Sequence, residues 1–270
     1  MRWLVRGEPS IPAGSGWLAE PELARASGMR FTKRRTEYLL RRYAGKSAVA
    51  AVIGLPDDPV TLERIAVLNA PTGAPYVTVD GTRIGMDVSL TDRAGWAVCL
   101  VGSDLGAVGC DLEIVEPRSN GFVADFLTPA EQQLVLASAR RDPSAGDALA
   151  NLIWSAKESA LKVLRTGLRA DTRTVEVLVG DAGQISAAGQ ISAAGQGPTP
   201  GWHPLAVDTV IGRLPGWWRR DGDFVLTVVV GARGGDPAAD AGAPPQELPG
   251  SAPLAQAWPI ESWRAKPVAD

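Results

Sequence analysis

Asp111, Glu113, Glu158 and Lys162 stand in two short stretches of this chain, where together they could hold a cation and act on a phosphate-bearing substrate. The first stretch is Val108-Gly109-Cys110-Asp111-Leu112-Glu113-Ile114-Val115-Glu116. Its alternation reads as a strand, with Val108, Cys110, Leu112 and Ile114 on one side and Gly109, Asp111 and Glu113 on the other. Two carboxylates one pleat apart repel by about 4 kcal/mol at a separation of ~4 Å and an effective dielectric of ~20. The second stretch is Trp154-Ser155-Ala156-Lys157-Glu158-Ser159-Ala160-Leu161-Lys162, inside a helical run from Asp147 to Leu168. At 100° per residue, Leu149, Leu152, Ile153, Ala156, Ala160, Val163 and Leu164 share an apolar face. Glu158, Lys162 and Arg165 share the opposite one, with Trp154 a turn before Glu158 on the same line. The plain reading is a solvated Glu–Lys pair worth a few tenths of a kcal/mol. Trp154 argues against it, because an indole on a charged face usually has something covering that face. If Glu158 joins Asp111 and Glu113, the cluster needs a divalent cation, and all-oxygen ligands favour Mg²⁺ shared with substrate phosphates.

Other elements must position these groups. Thr128-Pro129-Ala130-Glu131 is a capping box with proline at the first helical position, opening a helix through Ala139. Strands are expected at Thr61–Asn69, Trp96–Val101, Thr174–Val179, Leu205–Ile211 and Phe224–Val230, with an Asp221-Gly222 turn step before the last. Helical pieces are expected at Pro21–Ser27, Phe31–Tyr43 and Ala48–Leu55. The second of these is dense in basic residues: Arg34 and Arg41, and Arg35 and Arg42, each form a stripe suited to bidentate phosphate contacts or simply to solvent. Gly183-Gln184-Ile185-Ser186-Ala187-Ala188 repeats as Gly189–Ala194, too few copies for a solenoid, and reads as a duplicated loop.

Composition narrows the class. The 270 residues are 45% hydrophobic and 21% charged, ordinary for a globular protein with one large core or two smaller lobes. A formal charge of −3 gives no drive toward nucleic acid or anionic membrane. With the single histidine, His203, read as structural, and Cys99 and Cys110 forming no CxxC pair, a His-based metal cluster is excluded. No signal peptide or membrane-spanning run is visible, so the expected location is the cytoplasm. From Gly231 the composition shifts to Gly, Pro, Ala and Asp, and residues 233–270 are expected to be a disordered tail, with docking of Trp258 or Trp263 left open.

Gly-Cys-Asp-Leu-Glu followed by Trp-Ser-Ala-Lys-Glu-Ser-Ala-Leu-Lys resembles the paired signature of the 4′-phosphopantetheinyl transferase superfamily, and the chain length resembles its longer, surfactin-type monomeric class. The resemblance implies an α+β fold of two similar lobes, residues 1–103 and 104–232, related by pseudo-twofold symmetry with the active site in the cleft between them. It implies transfer of the phosphopantetheine arm of coenzyme A to a serine of an apo acyl or peptidyl carrier protein, releasing adenosine 3′,5′-bisphosphate. Asp111, Glu113 and Glu158 would hold Mg²⁺, Glu158 would take the serine proton, and Lys162 with Lys157 would balance the departing phosphate. Lys33, Arg34, Arg35 and Arg42, with Ser89 and Thr91, resemble the positions that hold the coenzyme. Two departures stand out: Ala74 replaces the usual lysine of a Gly-Lys-Pro turn, and Leu90 replaces the usual histidine between Ser89 and Thr91. They leave a non-catalytic binder of coenzyme A or carrier as one alternative; a metal-dependent phosphoesterase using the same carboxylates is another.

Overall fold

The first strand is hidden from composition by the Pro/Gly-punctuated stretch that follows it. In the computed structural model, which describes residues 1–102, 106–180, 201–231 and 243–254, Arg2–Gly7 forms β1 with every residue after Arg2 buried. It is followed by α1 (Glu20–Ser27), α2 (Thr32–Ile53), α3 (Pro59–Arg64), β2 (Ile65–Asn69), β3 (Pro75–Val79), β4 (Thr82–Arg83), β5 (Asp87–Arg93) and β6 (Trp96–Gly102). Helix α2 is continuous where two pieces were expected, because Ala44, Ala48 and Val49 bury one long face in the core with Leu4, Val67 and Cys99. The segment expected to be a strand from Thr61 begins instead as α3, capped by Asp58, whose side chain accepts from Thr61 N.

The second set of elements is β7 (Val108–Ile114), α4 (Asn120–Phe126), α5 (Pro129–Arg141), α6 (Pro143–Val163), β8 (Glu176–Val179), β9 (His203–Thr209), β10 (Gly212–Asp221) and β11 (Phe224–Val230). They build a five-stranded antiparallel sheet in the order β7-β11-β10-β9-β8. Strand β10 was not expected, since Pro215 and Gly216 erase its alternation. Pro215 is tolerated because pairing with β11 begins only at Gly216. Helix α6 lies on this sheet through Leu149, Leu152, Ile153, Ala156 and Ala160. It starts earlier than periodicity indicated, at Pro143, because Asp142 caps it by accepting from Ser144 N at 3.0 Å. The 183–194 repeat lies outside the described residues.

The fold is mixed α+β, and the chain divides into two compact units, residues 1–104 with 245–270, and residues 105–244. The expectation of a tail detached from position 233 needs correction for its described part. Gln246–Glu247 (β12) pairs in parallel with β1, completing a sheet β12-β1-β6-β5. Leu248 is 3% exposed in the first unit's core. The Ser251 hydroxyl accepts from Val5 N at 3.0 Å. A segment too polar to fold alone can still add a strand to an edge that already exists.

Each unit contains the same buried device. In the first, the Glu22 carboxylate of α1 accepts from Val67 N in β2 at 2.9 Å and pairs with Lys46 of α2 at 2.5 Å. In the second, the Glu131 carboxylate of α5 accepts from Val177 N in β8 at 2.8 Å and pairs with Lys157 of α6 at 2.9 Å. Both glutamates also receive the backbone N–H at the start of their own helix, Ala19 and Thr128 respectively.

Candidate active site

Glycine at 109 decides how closely α6 lies on β7. A Cβ there would fall 1.9 Å from the Ser159 carbonyl oxygen, so any other residue would push the helix off the strand. Hydroxyls complete the contact. Thr227 Oγ1 of β11 lies 2.9 Å from Ser155 Oγ and 2.8 Å from Ser159 Oγ, and Ser155 donates to the Asp111 carbonyl at 3.1 Å. All three hydroxyl residues are fully buried. Because Thr227 is in register with Asp111, this clasp fixes α6 against the carboxylate strand.

The carboxylates then meet the helix's charged line. Lys162 Nζ donates to Asp111 Oδ1 at 2.9 Å and to the Cys110 carbonyl at 2.8 Å. Trp154 Nε1 donates to Glu113 Oε1 at 3.0 Å, and Arg118 Nη2 lies 3.2 Å from Glu113 Oε2. The cover anticipated for the indole is α4: Phe122 and Phe126 pack edge-to-face with Trp154, with centroids 5.1 and 5.0 Å away. Glu158 is the carboxylate left over, with no hydrogen-bond donor among the described residues. Burial first, and then Asp111, push it from the ordinary 4.5 up to about 7; Glu113 pushes the same way and Lys162 opposes. Burial pulls Lys162 down, but Asp111, Cys110 and Glu158 outweigh it, and its ammonium lies above the ordinary lysine value. This is a charged group and a base poised near neutrality, side by side.

The donor set suits a hard divalent cation, being all carboxylate oxygen and holding more negative charge than Lys162 and Arg118 cancel. Among the described residues, no group of three His, Cys, Asp or Glu side chains is already gathered around one point. The reason is visible: Asp111 is turned to Lys162, and Glu113 to Trp154 and Arg118. A cation would share these ligands with protein donors.

Lys157 does not belong to this group, which corrects the phosphate role read from its motif position. Its side chain is fully buried, donating to the carbonyls of Val175 at 2.5 Å and Thr172 at 3.0 Å and pairing with Glu131. The position is one step round the helix from Glu158, and only a partner distant in sequence could reveal that it faces inward.

The residues expected to hold the coenzyme lie in the first unit. Lys33 is exposed, 3.8 Å from Glu37, and Arg34 is exposed over the Phe31 ring. Arg35 is half-buried, with Nε lacking a hydrogen-bond partner among the described residues. Arg42 is 4% exposed, donates to the Val67 carbonyl and lies over the Tyr38 ring; it is spent on packing within the unit rather than offered to solvent. Ser89 and Thr91 are buried on one side of β5. Leu90 points the other way and packs on the core that includes α2. Apolar packing therefore occupies the place where a polar donor was expected.

Sequence reasoning missed Arg118, Asn151 and Thr227. A cation soon after a two-carboxylate strand was a usable signal for Arg118; nothing local marked Thr227. No helix among the described residues is long and apolar enough to cross a membrane.

Residues 107–212 match the family model of the 4′-phosphopantetheinyl transferase superfamily, which bears out the resemblance read from the two motifs. None of the curated proteins compared with the chain matches it. The matched stretch contains Asp111, Glu113, Glu158 and Lys162, and leaves the unit with Ala74 and Leu90 outside it.

Proposed function

We propose, taking that family match as premise, that the protein is a Mg²⁺-dependent, monomeric, cytoplasmic transferase of the surfactin type, moving 4′-phosphopantetheine from coenzyme A to a serine of an apo carrier protein. The observation that carries this reading is the meeting of Asp111, Glu158 and Lys162 within the matched stretch, with Glu158 raised to about 7. In the metal-free site a carboxylate at that value accepts a proton near neutral pH. In the reaction, the serine oxygen forms a bond to the phosphorus that bears the pantetheine. The diphosphate P–O bond breaks, and adenosine 3′,5′-bisphosphate leaves with the electron pair. Glu158 takes the serine proton. Lys162, held charged by Asp111, stabilises the negative charge that grows on the departing phosphate. Mg²⁺, when held by Asp111 and Glu158 with Glu113 beside them, supplies positive charge to the diphosphate. Lys33, Arg34 and Arg35 remain our candidates for the nucleotide phosphates.

A second reading has a specific observation behind it. Leu90 sits in apolar packing and Ala74 offers no cation, so the chain would bind coenzyme A without turning it over. Release of adenosine 3′,5′-bisphosphate separates the readings. Release that requires an apo carrier supports the transferase, release without a carrier supports a phosphoesterase, and coenzyme binding without release supports the non-catalytic binder.

A further inference from the structure

Arg118, in the loop between β7 and α4, brings a second cation to the carboxylates, and neither motif contains it. Its Nη2 lies 3.2 Å from Glu113 Oε2, its Nη1 lies 3.5 Å from Glu116 Oε1, and its Nε donates to Asn151 Oδ1 at 2.7 Å. The guanidinium carbon sits 4.7 Å from the centroid of the Phe122 ring. Asn151 is fully buried on α6 and turns its amide nitrogen to the carbonyls of Glu116 and Asp147, which leaves its oxygen aimed at Arg118. Trp154 holds the other oxygen of Glu113. Glu113 is thus gripped at both oxygens, and the Glu113–Arg118 pair is largely shielded from water, at 14% and 16% side-chain exposure.

A guanidinium so placed acts in two ways on a divalent cation at Asp111 and Glu158. It orients one carboxylate, and it repels the cation. The repulsion acts at range and whatever rotamer Glu113 adopts, whereas the orientation concerns one ligand of three, so repulsion decides the sign. The diphosphate of coenzyme A carries the negative charge that offsets it. We infer that Arg118 is a positioning residue that keeps Glu113 turned to itself and weakens the site's hold on a bare divalent cation, making tight metal binding conditional on the substrate's diphosphate. This rests on the reading of Asp111 and Glu158 as metal ligands.

The test uses the full chain stripped of metal, with Mn²⁺ as the probe and bound metal counted by electron paramagnetic resonance, with and without coenzyme A. Arg118→Gln is expected to bind Mn²⁺ alone about tenfold more tightly than wild type; loss of a partner behind a ligand acts on this scale but usually weakens binding, so the direction of the change reads the relieved repulsion. Arg118→Lys, which keeps the charge, should stay within about threefold. The factor by which coenzyme A tightens Mn²⁺ binding should shrink in Arg118→Gln by the gain seen without coenzyme, because the diphosphate already offsets the Arg118 charge in the ternary complex and Mn²⁺ affinity there is unchanged. If Arg118→Gln does not fold, Arg118→Met, which keeps the packing on Phe122, carries the same expectation. Wild-type binding that is abolished by Asp111→Asn but unchanged or weakened by loss of the Arg118 charge overturns this inference and leaves the metal reading standing. Wild-type Mn²⁺ binding that is absent even with coenzyme A present, or indifferent to Asp111→Asn, overturns the metal reading and this inference with it.

Discussion

Replacing Glu158 with glutamine should make the metal-free protein more stable, and more so as pH rises. In the folded state Glu158 holds its proton up to about pH 7, against an ordinary 4.5. The folded form therefore binds more protons than the unfolded chain between those values, and stability falls as pH rises through that window. At 1.36 kcal/mol for each pH step, the cost of ionising Glu158 approaches about 3 kcal/mol at pH 8, and about 2 kcal/mol once screening on its open side is counted. Glutamine keeps the shape and cannot ionise, so urea denaturation in a chelator should show Glu158→Gln gaining about 2 kcal/mol at pH 8 and under ~1 kcal/mol at pH 5. Added Mg²⁺ should stabilise wild type at pH 8 and leave the variant unmoved, because it relieves the repulsion that the variant no longer has. A variant less stable than wild type at pH 8, or a difference that ignores pH, would refute the picture of an uncompensated carboxylate beside Asp111.

Three further expectations follow from the packing. Lys157→Ala should cost about 3–5 kcal/mol in denaturation, because it strands the buried Glu131 carboxylate; a stable variant with a raised Michaelis constant for coenzyme A would restore the phosphate role. Gly109→Ala should cost about 1–3 kcal/mol by forcing α6 from β7, and should slow transfer well beyond the folded fraction lost; transfer that tracks the folded fraction alone would contradict the positioning argument. Leu248→Ala should cost about 2–5 kcal/mol, the range for a buried leucine, measured as a fall in urea midpoint. An unchanged midpoint would return residues 243–254 to a dispensable tail.

The parts of the site legible in the sequence are those set by local period. Asp111 and Glu113 share a strand face because side chains alternate, and Glu158 and Lys162 share a helix line because they are one turn apart. The contact between the two lines is tertiary, and its determinants are small residues with no pattern of their own: Gly109, Ser155, Ser159 and Thr227. The inward turn of Lys157 is illegible for the same reason, since its burial depends on Glu131 and on carbonyls beyond its own helix. Strand β12 consists of two residues and carries no period to read. The α+β class, by contrast, was legible from the long amphipathic helices and the apolar strands at Trp96 and Phe224.

Glu158 either serves phosphopantetheinyl transfer or forms only a surface ion pair. The direct measurement is mass spectrometry of an apo carrier protein incubated with coenzyme A, Mg²⁺ and either wild type or Glu158→Gln. If Glu158 serves transfer, the carrier gains one phosphopantetheine with wild type, and the gain falls by at least about a hundredfold in rate with a variant that is folded and no less stable. A carrier modified equally fast by both proteins would contradict it.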